Sequence, residues 1–176
     1  MAKVNQHLDK RHTRTINFVE KHVSKNEKIL DLGTPNLLSK RLNEVGFQVS
    51  NTKGENLDID FDLYTNTDAD VITAFEIFEH MFAPFNILNN LKTNKLIASI
   101  PMKLWFTDAY WNEKDDWDKH YHEFEKKQFD FLLEKTGWRI IDSEIWKSGD
   151  WKKIGVRPLL RHITPRYYMV YCERNS

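Results

Sequence analysis

Cysteine is nearly missing from this chain of 176 residues. Cys172 stands alone, so no intrachain disulfide can form and nothing points to an oxidising compartment. A surplus of either charge is missing too. The 26 basic and 26 acidic side chains cancel to a formal net charge of +0. That leaves no basic excess to neutralise a polyphosphate backbone, which argues against nucleic acid as a partner. Arg157, Arg161 and Arg166 could form a local basic patch, but they read as solvated surface. No apolar run approaches the length of a bilayer span, so no membrane partner is expected. The opening MAKVNQHLDKRHTRT lacks the apolar core of a secretory signal, and the expectation is a cytoplasmic protein. Repeats, low-complexity tracts and interdomain linkers are also lacking.

What is present suits one compact domain over residues 1–176. Hydrophobic residues make up 40% and charged residues 30%, which argues against disorder. Ile16, Val19 and Val23 recur at helical spacing, so the N-terminal stretch up to residue 25 reads as an amphipathic helix. KILDLG at 28–33 is a short buried strand entering a turn. Leu38, Leu42 and Val45 mark a second helix, stopped by Gly46, and FQVS from Phe47 is a second strand. The polar stretch 51–69 allows a brief strand at Asp58–Asp62, where Leu57, Ile59 and Phe61 alternate with acids.

DVITAFE at 70–76 and KLIASIP at 95–101 are buried strands, with a Pro84-led helix between them. Phe129, Leu132 and Leu133 mark a helix ending at Gly137. RIIDSEIW at 139–146 and YYMVYCE at 167–173 are the last strands, joined by a loop containing Gly149, Gly155 and Pro158. Alternating strands and helices predict an α/β fold with a mostly parallel sheet, helices on both faces and an antiparallel hairpin at its edge. Ligands in such sheets bind beyond the carboxyl ends of the strands. Those ends are Gly33, Asn51, Phe75–Glu76 and Pro101.

Four segments, in order, carry a resemblance: ILDLG at 29–33, TAFEIFEHMFAP at 73–84, LIASIP at 96–101 and HEFEKKQFDFLLEKTGW at 122–138. Together they resemble class I, Rossmann-like methyltransferases (type 11/12-like) that use S-adenosylmethionine (SAM). The resemblance runs from about residue 15 onward. It implies SAM as cofactor, held by Asp31, Gly33, Thr34, Asn51, Asp60, Phe75 and Glu76. The sequence departs from the family in three places. The family's glycine-rich loop reads Gly33-Thr34-Pro35-Asn36-Leu37, which keeps only the first glycine, and Pro35 lacks an N–H. Lys53 stands near the position of the family's ribose-binding acid and cannot accept a hydrogen bond, although Asn51 or Glu55 could substitute. The stretch between the second strand and DVITAFE has room for at most a tiny helix, so one wall of the adenine pocket is abbreviated.

Several residues could carry chemistry. Glu76, Glu79 and His80 fall at i, i+3 and i+4, on one face if a helix starts there. With His122 they could hold a divalent cation that lowers the pKa of an acceptor hydroxyl. Small-RNA 2′-O-methyltransferases and some ubiquinone-type O-methyltransferases are similar in this feature. In the alternative reading, Glu-His after this strand is a generic element that binds no metal, and His80, His120 or His122 serves alone as general base.

The connection at 102–123 is rich in aromatics, and Trp105, Tyr110 and Trp111 are its candidate substrate contacts, as a lid over the acceptor. The competing reading is a hydrophobic cap packed on itself. Asp108, Glu113, Asp115, Asp116 and Asp118 would form an outer rim repelling anionic acceptors. The expected function is methyl transfer to a small-molecule or sugar-like acceptor, at oxygen. The alternative is a Rossmann-like domain that has lost SAM and serves a binding role. A nucleotide-dependent oxidoreductase ranks last, since no Gly-x-Gly-x-x-Gly turn exists.

Overall fold

The computed structural model describes residues 6–148 and 155–174. Gly149 and residues 1–5 of the expected first helix lie outside them. The chain runs α1 (Gln6–His22), β1 (Lys28–Asp31), α2 (Leu37–Glu44), β2 (Gln48–Asn51), α3 (Asp62–Thr65), β3 (Val71–Phe75), α4 (Pro84–Asn90), β4 (Lys95–Pro101), α5 (Lys126–Lys135), β5 (Trp138–Lys147), α6 (Val156–Ile163) and β6 (Pro165–Arg174).

The strands form one sheet in the order β2-β1-β3-β4-β6-β5. β1 to β4 are mutually parallel, and β6 runs antiparallel to both β4 and β5. The terminal pair is thus antiparallel as expected, but its second strand is inserted between β4 and β5, leaving β5 at the edge. Side-chain alternation separates the two faces. Ile29, Val71, Ile97 and Met169 meet Phe18 and Val19 of α1 and Leu38 and Leu42 of α2. Their neighbours Leu30, Ile72, Leu96 and Val170 meet Ile87 and Leu88 of α4 and Phe129 and Leu133 of α5. Each such buried aliphatic side chain contributes about 1.5–3 kcal/mol. Because both faces are covered, β3 and β4 read as continuous apolar runs, whereas burial alternates along the edge strand β5.

Two expectations fail locally. The strand at 58–62 is replaced by turns leading into the four-residue α3. Asn56 accepts the amides of Ile59 and Asp60, and the Asp58 carboxylate accepts those of Phe82 and Ala83 at 2.8 and 2.7 Å. This turn chemistry overrides the alternating pattern. The expected loop between β5 and β6 also contains a helix, α6. Among the described residues, no helix is long and apolar enough to cross a membrane.

Candidate active site

The chain passes from β1 outward to β2, then returns to the other side of β1 as β3. That reversal opens a crevice at the carboxyl ends of β1 and β3. Asp31 ends β1, buried. Its carboxylate accepts from Thr73 Oγ1 at 2.7 Å and from Asn51 Nδ2 at 2.9 Å, tying three strands together. Burial raises its pKa to about 7, against the lowering effect of those two hydrogen bonds. Asn51 Nδ2 also reaches the Gly33 carbonyl at 3.1 Å, and the Gly33 amide donates to Thr52 Oγ1 at 2.8 Å. Asp31, Gly33 and Asn51 do converge, but their polar groups face one another. Gly33 has φ +129, and a Cβ there would lie 3.1 Å from Ile77 Cδ1, so no other residue fits comfortably. Thr34 is exposed. Its Cγ2 would lie 3.2 Å from a Cβ added to Gly54, so the loops after β1 and β2 touch. Asp60 is half-buried in the turns before α3.

A cleft of about 260 Å³ lies between α1, the start of α2 and the ends of β3 and β4. Arg11, His12, Phe75, Glu76, Ser99 and Trp146 line it. Glu76 has φ +56, a strained conformation for a residue with a side chain. Its amide donates to the Ser99 carbonyl at 2.8 Å, and its carboxylate accepts from Arg11 at 2.5 Å. Burial, with Arg11 and Arg41 nearby, lowers the His12 imidazole to about 4 and keeps it neutral. At the start of α2, the amides of Asn36, Leu38 and Ser39 are already engaged. The Asn36 side chain accepts from the amides of Leu38 and Ser39, and Ser39 Oγ accepts the Asn36 amide.

Behind Glu76, a 3₁₀ turn at Phe78–His80 buries Glu79 to 1% exposure. Its Oε2 has no hydrogen-bond partner among the described residues. Burial, then the negative charge of Glu76, holds the Glu79 carboxyl well above the usual carboxylate range, with Arg166 opposing. His80 Nδ1 meets the Lys119 carbonyl at 3.0 Å, so Nδ1 carries the proton and Nε2 is left as an acceptor. Burial lowers the pKa of this imidazole. His120 Nδ1 meets Glu123 Oε1 at 2.9 Å. One ligand atom each from Glu79, His80 and His120 lie within 4.8 Å of one another. Of the four expected metal ligands, the structure thus brings two together, Glu79 and His80, and adds His120. Glu76 is held by Arg11 instead, and His122 reaches the Phe82 carbonyl at 3.3 Å with its ring stacked on Phe124.

The aromatic connection leaves its rings largely exposed, and of its acids Asp108, Glu113, Asp115 and Asp116 are exposed as well. Trp105 is 70% exposed, and Tyr110 and Trp111 are about half exposed. Tyr110 and Trp111 line a second cleft of about 440 Å³, together with Arg157 and Arg161 of α6 and Arg166 of β6. Trp105 packs edge-on against Phe106, outside that lining. Asp118 accepts from Tyr110 Oη and Asn112, and Asp116 pairs with Lys119, so these two of the five expected rim acids are engaged within the connection, while Asp108 lies in the cleft lining.

No protein-family model matches the sequence, and no curated protein matches it. Solved structures do match in three dimensions. The magnesium protoporphyrin IX methyltransferase of Synechocystis PCC 6803, solved with bound S-adenosylhomocysteine (SAH), is 10% identical, covers 99% of this chain and 90% of its own, and gives a TM-score of 0.60. The SAM-dependent methyltransferase of Mesorhizobium loti is 13% identical, with 90% and 96% coverage and a TM-score of 0.54. The chain has the class I methyltransferase fold. At these identities the likeness is one of fold, and the same fold occurs in the [4+2]-cyclase SpnF, 12% identical, with 92% and 81% coverage and a TM-score of 0.56.

Sequence reading missed Arg11, Thr52, Thr73, Glu123 and Trp146. Thr73 and Glu123 lie inside the quoted motif segments and Thr52 follows Asn51, whereas Arg11 and Trp146 come from elements that no motif marks. Arg157, Arg161 and Arg166 read in the sequence as open surface. The helix that aims two of them carries no capping signal, since Gly155 at its N-cap makes no side-chain bond.

Proposed function

We propose that this protein is a SAM-dependent methyltransferase acting on a small-molecule acceptor, at oxygen. The observation that carries the reading is the strained Glu76 turn, held beside Arg11 at the reversal point of a methyltransferase-type sheet. Strained backbone of this kind concentrates at functional sites. The aminoacyl end of SAM is a zwitterion, and this cleft offers it one carboxylate, Glu76, and one guanidinium, Arg11. Phe75 supplies an apolar wall. Toward the ribose, Asn51 and Asp60 are the residues available, and Asn51 must first release Asp31 or Gly33. Weaker binding than in relatives that keep the glycines is therefore expected.

Bound SAM supplies an electrophilic methyl group on a sulfonium sulfur. The chain's own residues must orient the acceptor and take its proton as the oxygen–carbon bond forms and the carbon–sulfur bond breaks. His120 suits that task. Glu123 orients its Nδ1, leaving Nε2 to accept the hydroxyl proton. His80 presents the same acceptor atom, while His122 is engaged with Phe82. A second version of this step is favoured by the clustering of Glu79, His80 and His120, which would hold a divalent cation that acidifies the hydroxyl.

A non-catalytic domain without SAM is the rival reading. It is favoured by the hydrogen bonds that join Gly33, Asn51 and Thr52 to one another across the ribose side. Calorimetric titration with SAH separates the two. We expect saturable heat that Glu76→Gln weakens about tenfold, as for loss of one charge-assisted hydrogen bond. Neither heat nor a thermal shift at millimolar SAM or SAH would overturn the methyltransferase reading.

A further inference from the structure

The structure points to an acceptor that carries an oxyanion, a carboxylate or a phosphate, which we propose is received by Arg157, Arg161 and Arg166 in the second cleft. This assignment deepens the methyltransferase reading and rests on it for the word acceptor; the anion site itself does not depend on it.

The cleft lies at the reactive end of the sheet. β4 ends at Pro101 there, β6 begins at Pro165 there, and α6 bridges from β5 to β6 at that same edge. Arg157 and Arg161 fall at i and i+4 on α6, where like charges repel. Arg166 adds a third guanidinium, fixed by its donation to the Met102 carbonyl at 2.7 Å. Among the described residues, neither Arg157 nor Arg161 has a carboxylate partner, and Arg161 Nε is buried without any hydrogen-bond acceptor. A buried unpaired donor is costly unless something else fills it.

The helix is also turned against ordinary hydrophobic sorting. Val156, Leu159 and Ile163 are 75%, 59% and 62% exposed, while Arg161 is half-buried toward the cleft. Two acids share the lining, Asp108 and Glu123, but Glu123 is engaged by His120 and by the Tyr110 amide. The balance is a surplus of guanidinium, the group suited to bidentate recognition of carboxylate or phosphate. Tyr110 and Trp111 share the lining with the arginines and offer ring surface to the rest of the ligand. A volume of about 440 Å³ matches a small molecule. An oxyanion held there places the ligand body beside the Glu123–His120 pair.

Benzoate and phenyl phosphate are titrated into the protein at constant ionic strength, with benzyl alcohol as the neutral control and SAH in a parallel cell. We expect saturable binding of at least one anion and none of benzyl alcohol. Preference for benzoate identifies a carboxylate acceptor, and preference for phenyl phosphate a phosphate acceptor. Arg157→Gln and Arg161→Gln should each weaken the anion about tenfold and leave SAH affinity unchanged. Arg161→Lys should weaken it less than Arg161→Gln, which guards against a fold artefact. Failure of both anions to saturate the unaltered protein, or equal affinity in the arginine variants, overturns the anion site even where SAH binds. Anion binding without SAH binding leaves the site standing and removes the methyltransferase reading instead.

Discussion

Asp31 and Glu79 are acids that the fold encloses beside the crevice, and each carries a pH signature. For Asp31 the folded-state pKa, about 7, lies above the ordinary value of 3.8. Its contribution to stability is therefore fully present below about pH 4 and is lost as pH rises through 7. That loss amounts to at most roughly 4 kcal/mol at 1.4 kcal/mol per pH unit. Urea unfolding at pH 5 and pH 8 should show the difference, and Asp31→Asn should remove most of it. Glu79 is raised in the same direction, which favours its neutral form, and Glu79→Gln puts a neutral group of like shape in its place. Its melting temperature at pH 7 should stay within a few degrees of the unaltered protein. If the Glu79, His80 and His120 cluster holds a cation, Mn²⁺ should raise the melting temperature of the unaltered protein and not that of Glu79→Gln. A shift of equal size in both would remove the cation from the proposal. Asp31, Glu76, Glu79 and His80 were legible in the sequence because they follow apolar strands at fixed offsets. Arg11 was not, because a single arginine on an amphipathic helix looks the same whether it faces solvent or a crevice.

Among the elements, α2 is the clearest example of a short helix set by its cap. Asn36 Oδ1 accepts from Leu38 and Ser39 at 2.8 and 3.1 Å, closing the end that faces the cleft. Asn36→Ala should cost about 1 kcal/mol, read as a lower urea midpoint with an unchanged slope. A larger loss would mean that the cap also holds the Gly33 loop in place. The strands β1, β3 and β4 and the helices α2, α4 and α5 were readable from apolar periodicity and from Gly46, Pro84 and Gly137 as punctuation. Two elements were not. Residues 58–62 alternate like a strand, but Asp58 is drawn to the amides of Phe82 and Ala83, a contact that local sequence cannot display. α6 exposes Val156, Leu159 and Ile163, so its periodicity was set inside a segment that looked like a loop punctuated by Gly155 and Pro158.

Across the whole molecule, sheet order decides what the crevice can become. The reversal between β1 and β3 creates the crevice beside Asp31 and Glu76, and the antiparallel arrival of β6 brings α6 and its arginines to the same end of the sheet. Glu79 feels charges of both regions, since Glu76 and Glu123 raise its pKa and Arg166 lowers it. A parallel α/β sheet could be read from alternating strands and helices. The insertion of β6 could not, because pairing order depends on long-range registers such as Ile97 with Tyr171 and Ile140 with Cys172. That insertion bears on how the protein is born. β4 and β5 never pair with each other, so β5 has no neighbour while the chain is still emerging from the ribosome. Only when Pro165–Arg174 has been synthesised can it slide between them. Until then the newly made chain carries a bare strand edge on both β4 and β5, open to pairing with other chains.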